Sequence, residues 1–108
     1  MPHDPHLADR MRHALREYGG ITERKMFGGY CWMHHGNMVC GVEVGRFMFR
    51  VGKGLEAEAL ARAGASPMDI TGKPMRGFVW VRADHAEGKN LTAWIDLALR
   101  FAGTLPPK

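Results

Sequence analysis

The residue types able to do chemistry crowd between Cys31 and Glu43: the thiols Cys31 and Cys40, the imidazoles His34 and His35, and the carboxylate of Glu43. Thiolate and imidazole are common zinc ligands, and Cys31, His35 and Cys40 would supply three of the four that a tetrahedral site requires. No fourth ligand stands beside them. His34 and Glu43 form an acid/base pair only if the fold brings them within hydrogen-bond reach, and both read equally well as solvated side chains on a sheet. His3 and His6 are able to chelate a metal but lack a matching ligand set. Anions have two candidate sites. Arg24-Lys25 precedes Phe27-Gly28-Gly29, where successive glycines suit a backbone nest or a bulge. Gly52-Lys53-Gly54 leads from a strand into a helix, whose N-terminus favours phosphate, but the Gly-x-x-x-x-Gly-Lys-Ser/Thr of a P-loop is absent. Arg24, Lys25 and Lys53 are therefore the candidate anion contacts. None of these patterns closes into a catalytic constellation. The expectation is a non-enzymatic protein with no catalytic residue, no cofactor and no metal.

These residues are positioned by the stretch from Arg24 to Val51, whose two turn signals divide it into a three-stranded antiparallel meander. His35-Gly36 suits the tip of a two-residue hairpin, because glycine accepts the positive φ that such turns need. It sets His34 opposite Asn37, Met33 opposite Met38, Trp32 opposite Val39 and Cys31 opposite Cys40. Gly45-Arg46 is the second tip and sets Val44 opposite Phe47, Val42 opposite Phe49 and Cys40 opposite Val51. Side chains alternate with period two, so Cys31, Met33, Met38, Cys40, Val42, Val44, Phe47, Phe49 and Val51 share an inner face. Tyr30, Trp32, His34, Val39, Gly41, Glu43, Met48 and Arg50 share the outer one. Apolar residues gathered on an outer face are either covered by a later segment or a helix or mark an interaction site. Tyr30, Trp32, Val39, Met48 and Arg50 are thus the candidate contact surface for a protein partner or a second copy. The same register makes Cys31 and Cys40 a non-hydrogen-bonded pair with Cα atoms about 4.5 Å apart, within disulfide reach. Two readings follow: a cross-strand redox pair, or two small buried thiols.

The rest of the chain frames this meander. Asp4-Pro5 opens a helix as N-cap and first residue. Leu7, Met11, Ala14, Leu15 and Tyr18 give it one apolar stripe, and Gly19-Gly20 ends it. A second helix carries Leu55, Ala59, Leu60 and Ala63. Met68–Thr71 and Met75–Arg82 read as strands around Gly72-Lys73-Pro74, and Phe78-Val79-Trp80-Val81 is apolar enough to be covered on both faces. The last helix runs from about Asn90 to Ala102 with Leu91, Trp94, Ile95, Ala98 and Phe101 on its buried stripe, before a short tail. The order α-β-β-β-α-β-β-α implies an α+β two-layer domain with a mainly antiparallel sheet.

A chain of 108 residues is one domain over its whole length, 1–108. Its apolar run lengths fall short of the roughly 20 residues of a membrane span, and its start lacks the pattern of a secretory signal; a cytoplasmic protein is expected. The net charge of +4 permits contact with nucleic acid, but the basic residues are dispersed from Arg10 to Lys108 rather than gathered on one run. Direct nucleic-acid binding, with Arg24, Lys25, Arg50 and Lys53 on phosphates and Tyr30 and Trp32 stacking on bases, is the alternative to a protein-interaction role.

Arg-Lys-Met-Phe-Gly-Gly-Tyr at 24–30, Gly36-Asn37-Met38, Phe47-Met48-Phe49-Arg50-Val51, the run from Pro67 to Val79 and the terminal Leu105-Pro106-Pro107-Lys108 together resemble the TfoX/Sxy N-terminal-domain family, in a short stand-alone subgroup without the C-terminal domain. The resemblance implies an α-β(3)-α-β(2)-α fold similar to secretion-chaperone-like domains. The better-known relatives regulate competence for DNA uptake together with a transcription activator and carry a second, C-terminal domain. What the resemblance implies here is a small, non-enzymatic cytoplasmic regulatory module that acts through protein contacts.

Overall fold

Apolar residues recur along the helices every three or four positions and along the strands every second one, and the fold joins these stripes into one core. The structure, a computed structural model, describes residues 5–26, 29–70 and 72–107. In chain order the elements are α1 (Pro5–Leu15), β1 (Ile21–Met26), β2 (Gly29–His34), β3 (Asn37–Glu43), β4 (Arg46–Arg50), α2 (Glu56–Leu60), β5 (Ala65–Ile70), β6 (Lys73–Arg82) and α3 (Lys89–Ala102), with short 3-10 turns at Lys53–Leu55 and Ala83–His85. All pairings are antiparallel, and the six strands lie in the order β1-β2-β3-β4-β6-β5. The helices pack on one face of this sheet, giving the expected two-layer α+β architecture. No helix among the described residues is long and apolar enough to cross a membrane.

Four strands precede α2, not three. Ile21–Met26, expected only to lead into the meander, is a strand of its own: β1 and β2 run antiparallel with Met26 opposite Gly29. The expected bulge at Phe27-Gly28-Gly29 falls partly on Phe27 and Gly28, which lie outside the described residues, as do Asp4 and Thr71. Helix α1 stops at Leu15 rather than Tyr18. Tyr18 remains with the helical layer from the following turn, its hydroxyl donating to Asp96 Oδ1 at 2.7 Å.

The first hairpin turns where the sequence places it. His35 (φ 50°) and Gly36 (φ 86°) both have positive φ, and His34 pairs with Asn37 and Met33 with Met38. One step further the ladder shifts. Trp32 pairs with Cys40, Cys31 with Gly41 and Tyr30 with Val42, so Val39 is the extra residue of a β-bulge. Both Val39 and Cys40 are fully buried in the core. The bulge therefore turns β2 over relative to the rest of the sheet. Trp32, expected outside, is inside and 2% exposed, while Cys31, expected inside, is on the opposite face.

The second hairpin turns at Val44-Gly45, one residue earlier than expected, with Glu43 opposite Arg46, Val42 opposite Phe47 and Cys40 opposite Phe49. Gly45 supplies the positive φ (76°), and Glu43 and Arg46 close the turn with a 2.7 Å ion pair. This displaces the pairing by two residues. A shift of two preserves the face of every side chain, so Cys40, Val42, Phe47 and Phe49 stay inside as expected. Val44 alone changes: it occupies the tip and is 59% exposed.

The core is built from these inward residues, Val79 and Val81 of β6, and the stripes of α1 and α3. Phe49 stacks on Trp94 with ring centroids 5.5 Å apart. Burying an aromatic side chain of this kind contributes about 2–3 kcal/mol. The last helix buries Leu91, Trp94, Ile95, Leu97, Ala98 and Ala102, while Phe101 is half-buried at the end of the stripe. Phe78 and Trp80 correct a further expectation: they alternate with the valines and point to the face without helices, so helices cover β6 on one side only.

Candidate functional site

Across the helix-free face, backbone register aligns one row of residues over four strands: Cys31 on β2, Gly41 on β3, Met48 on β4 and Trp80 on β6. A groove of about 420 Å³ lies over this row. Its lining includes Cys31, Met38, Met48, Met68, Met75, Phe78 and Trp80. Gly41 leaves the floor bare. A Cβ there would lie 3.2 Å from Cys31 Sγ and 3.3 Å from Met48 Cε, so those side chains lean over the glycine from the two neighbouring strands. Met68 reaches the groove because the β5–β6 pairing shifts register between Pro67 and Asp69.

The charged residues of the lining are Glu43, Arg46 and Asp69. The Arg46 guanidinium lies 3.7 Å from the centroid of the Trp80 ring while it pairs with Glu43, and Asp69 stands on the far wall. Burial pushes the Cys31 thiol above its ordinary range, so it is a protonated, weakly polar part of the floor. Burial does the same to Cys40 in the core, with the nearby Cys31 adding to it.

The expected contact surface does not hold together. Trp32 and Val39 are buried under the helices, and Tyr30 is half-buried against the same core. The indole Nε1 of Trp32 donates to Glu23 Oε1 at 3.2 Å. Glu23 also accepts from Arg12 of α1, through Nε at 2.6 Å and Nη2 at 3.0 Å. These bonds, Arg12's first, hold the Glu23 carboxyl below its usual range, and the Arg12 guanidinium lies 5.0 Å from the Tyr30 ring centroid. Tyr30, Trp32 and Val39 therefore belong to the joint between α1 and the sheet. Met48 remains on the helix-free face, and Arg50 ends β4 with its guanidinium 5.6 Å from Phe78 and 5.2 Å from Phe101.

The other sequence candidates are dispersed. Cys31 and Cys40 are free thiols on opposite faces of the sheet, which removes the register that made them a redox pair. The same inversion separates Cys31 from Cys40 as common ligands with His35. His34, on the helical side by alternation, is parted from Glu43 on the other. Among the described residues no three His, Cys, Asp or Glu side chains come together as a metal site. Arg24 and Lys25 lie on the edge strand β1, alternate residues facing opposite ways, while Lys53 follows β4. Two strands stand between β1 and β4, a separation of roughly 14 Å at the usual strand spacing, so these cations do not make one anion site.

Sequence reasoning missed Met38, Met68, Met75, Phe78 and Trp80 as neighbours. One signal pointed to them: Gly41 is a glycine inside a strand, without the positive φ that would require glycine, and such positions mark bulges or close approaches. Asn37 is the other buried polar feature. It is 3% exposed, and its Nδ2 donates to Pro106 O at 2.9 Å, tying the C-terminal tail to the start of β3.

Neither the curated proteins nor the solved structures include a match to this chain. A family model described as the TfoX N-terminal domain matches residues 13–102, from within α1 to the last residue of α3. The chain belongs to the TfoX N-terminal domain family.

Proposed function

We propose that this domain is a non-enzymatic, cytoplasmic regulatory module that works by binding a protein, either a separate partner or a second copy, through the helix-free face of its sheet. Family membership supports a competence-regulator-like role. The observation that carries the reading is that a groove lined mainly by apolar side chains lies on the face of the sheet that carries no helix, with Met38, Met75, Phe78 and Trp80 only partly covered. Apolar surface of this kind marks interaction sites, and methionine adapts its shape to an incoming surface at little cost.

The test places a charge at each end of the groove. Met38→Asp and Met75→Asp are expected to abolish self-association, measured as solution mass over a range of concentrations, or capture of a partner that the wild-type chain retains. Their thermal unfolding should stay close to wild type. A chain that is monomeric at high concentration and retains no partner overturns the reading, as does association indifferent to both substitutions. Salt-sensitive binding to duplex or single-stranded DNA, lost in Arg24→Ala/Lys25→Ala, would favour the nucleic-acid role instead.

A further inference from the structure

The groove has a shape and a charge, and together they narrow what it can hold. Its floor is made by β2, β3, β4 and β6, and each of these strands has a neighbour on both sides. Their main-chain groups are turned to one another within the sheet, not to an extended segment lying above it. An occupant seated on this floor must satisfy its own backbone groups, which an α-helix does and a single strand does not. The dimensions agree. Cys31, Gly41, Met48 and Trp80 lie on four adjacent strands, a span of roughly 14 Å at the usual strand spacing. A helix with its side chains is about 10–12 Å across.

A second copy of the chain fits poorly. A two-fold contact sets the same groove on both sides, and two concave surfaces enclose a void instead of packing. The chain has no apolar ridge to offer in exchange among its described residues: the stripes of α1 and α3 are buried in its own core, and Val44 is the large apolar side chain left in the open. Charge narrows the choice again. Glu43 and Arg46 neutralise each other at 2.7 Å, which leaves the carboxylate of Asp69, exposed on the far wall and in no ion pair among the described residues. Of the arginines that share this face, Arg82 is paired with Asp84 at 2.6 Å, and Arg50 is held against Phe78 and Phe101. Arg24, opposite Cys31, stands on the other outer strand from Asp69, five strand spacings or roughly 24 Å away and well beyond the screening length of about 8 Å. The same screening keeps the overall charge of +4 from deciding a contact made at Asp69.

We infer that the groove takes one amphipathic helix of a separate protein, its apolar stripe seated over Met38, Met48 and Trp80 and a lysine or arginine beside that stripe paired with Asp69. The unbranched methionines re-pack around the incoming ridge. This inference rests on the protein-binding reading and narrows it. The test is a selection from a displayed library of helical peptides about 18 residues or roughly 27 Å long, enough to cross the groove, with a fixed apolar stripe and randomised flanks. The wild-type chain is the bait, and Met75→Asp is the bait for counter-selection. Selected helices should carry lysine or arginine at one flank position, and glutamate in its place should weaken binding about fivefold, as reversal of an exposed charge pair does. Selection on Asp69→Lys should turn that position to aspartate or glutamate. Asp69 is exposed, so this variant keeps the fold, which thermal unfolding checks, and the charge arm stands even where Met75→Asp fails to fold. Absence of any helical binder that depends on the groove overturns the inference, as do flanks without a basic preference or a preference unchanged in Asp69→Lys. Self-association through the groove, or capture there of a partner without such a helix, leaves the protein-binding reading standing and sinks this one; a chain that binds no helix, no partner and no second copy sinks both.

Discussion

The two faces of the sheet are built from alternate residues of the same strands and have opposite characters. The helical side is packed with valines, phenylalanines and Trp32, shapes with few rotamers that interlock with α1 and α3. The other side has methionines, a thiol and a glycine, which leave a groove instead of a solid layer. Rigid complementary shapes suit a permanent interface, because each is stabilised only in one arrangement. Flexible side chains over a bare floor suit a surface whose occupant comes and goes. On this comparison, stability resides in the helical face, and the groove face is the one proposed to bind.

The sharpest way to break that division is to compare its two central tryptophans. Trp32→Ala should cost about 3–5 kcal/mol, as truncation of a fully buried aromatic does, and it also removes one hydrogen bond to Glu23, which keeps those from Arg12. Trp80→Ala, half-buried beneath Arg46, should cost less than half as much. Equal losses in denaturant unfolding would show that the groove face is as structural as the core. The cysteines give a second contrast. Cys31 opens onto the groove and should react with a small thiol reagent through local motion, whereas Cys40 should react only at the rate of global unfolding. Both should be slow, since burial keeps each thiol protonated; Cys40 labelled first would invert the assignment of faces.

The smallest expected effect concerns pH. Glu23 has a folded-state pKa below its ordinary value of about 4.5. Its contribution to stability is therefore present above that value and is lost as pH falls through the lower, folded one. The unfolding midpoint of the wild-type protein should fall on acidification below about pH 4.5, and Glu23→Gln should flatten part of that fall. Because the Arg12–Glu23 pair is about one-third exposed, the effect should be modest and weaken with salt. No difference between the two acid profiles would show that the Arg12–Glu23–Trp32 joint adds nothing beyond packing.

Much of the helical side was legible in the sequence. The stripes of α1 and α3, the tip at His35-Gly36 and the shared face of Cys40, Val42, Phe47 and Phe49 all follow from local spacing. The last survived an error in the second turn because that error was even-numbered. The groove side was barely legible, because Val39 and Cys40 are both small and apolar and alternation does not reveal which of them is the extra residue. Phe78-Val79-Trp80-Val81 failed for a related reason: a continuous apolar run looks the same whether helices cover one side or two.

By itself the sequence determined the period of each element, the placement of the first reversal and the α+β class, since these depend on φ preferences and on neighbours a few residues apart. Only the tertiary structure decided that the chain reverses between Met26 and Gly29, that Val39 bulges, and that Trp32 turns inward while Cys31 turns toward the groove. Those outcomes depend on how distant segments pack against the sheet. Helix α1 reaches Glu23 and Tyr30, and α3 seals the same side, so the identity of the inner face is a property of the assembled layers and not of any one strand.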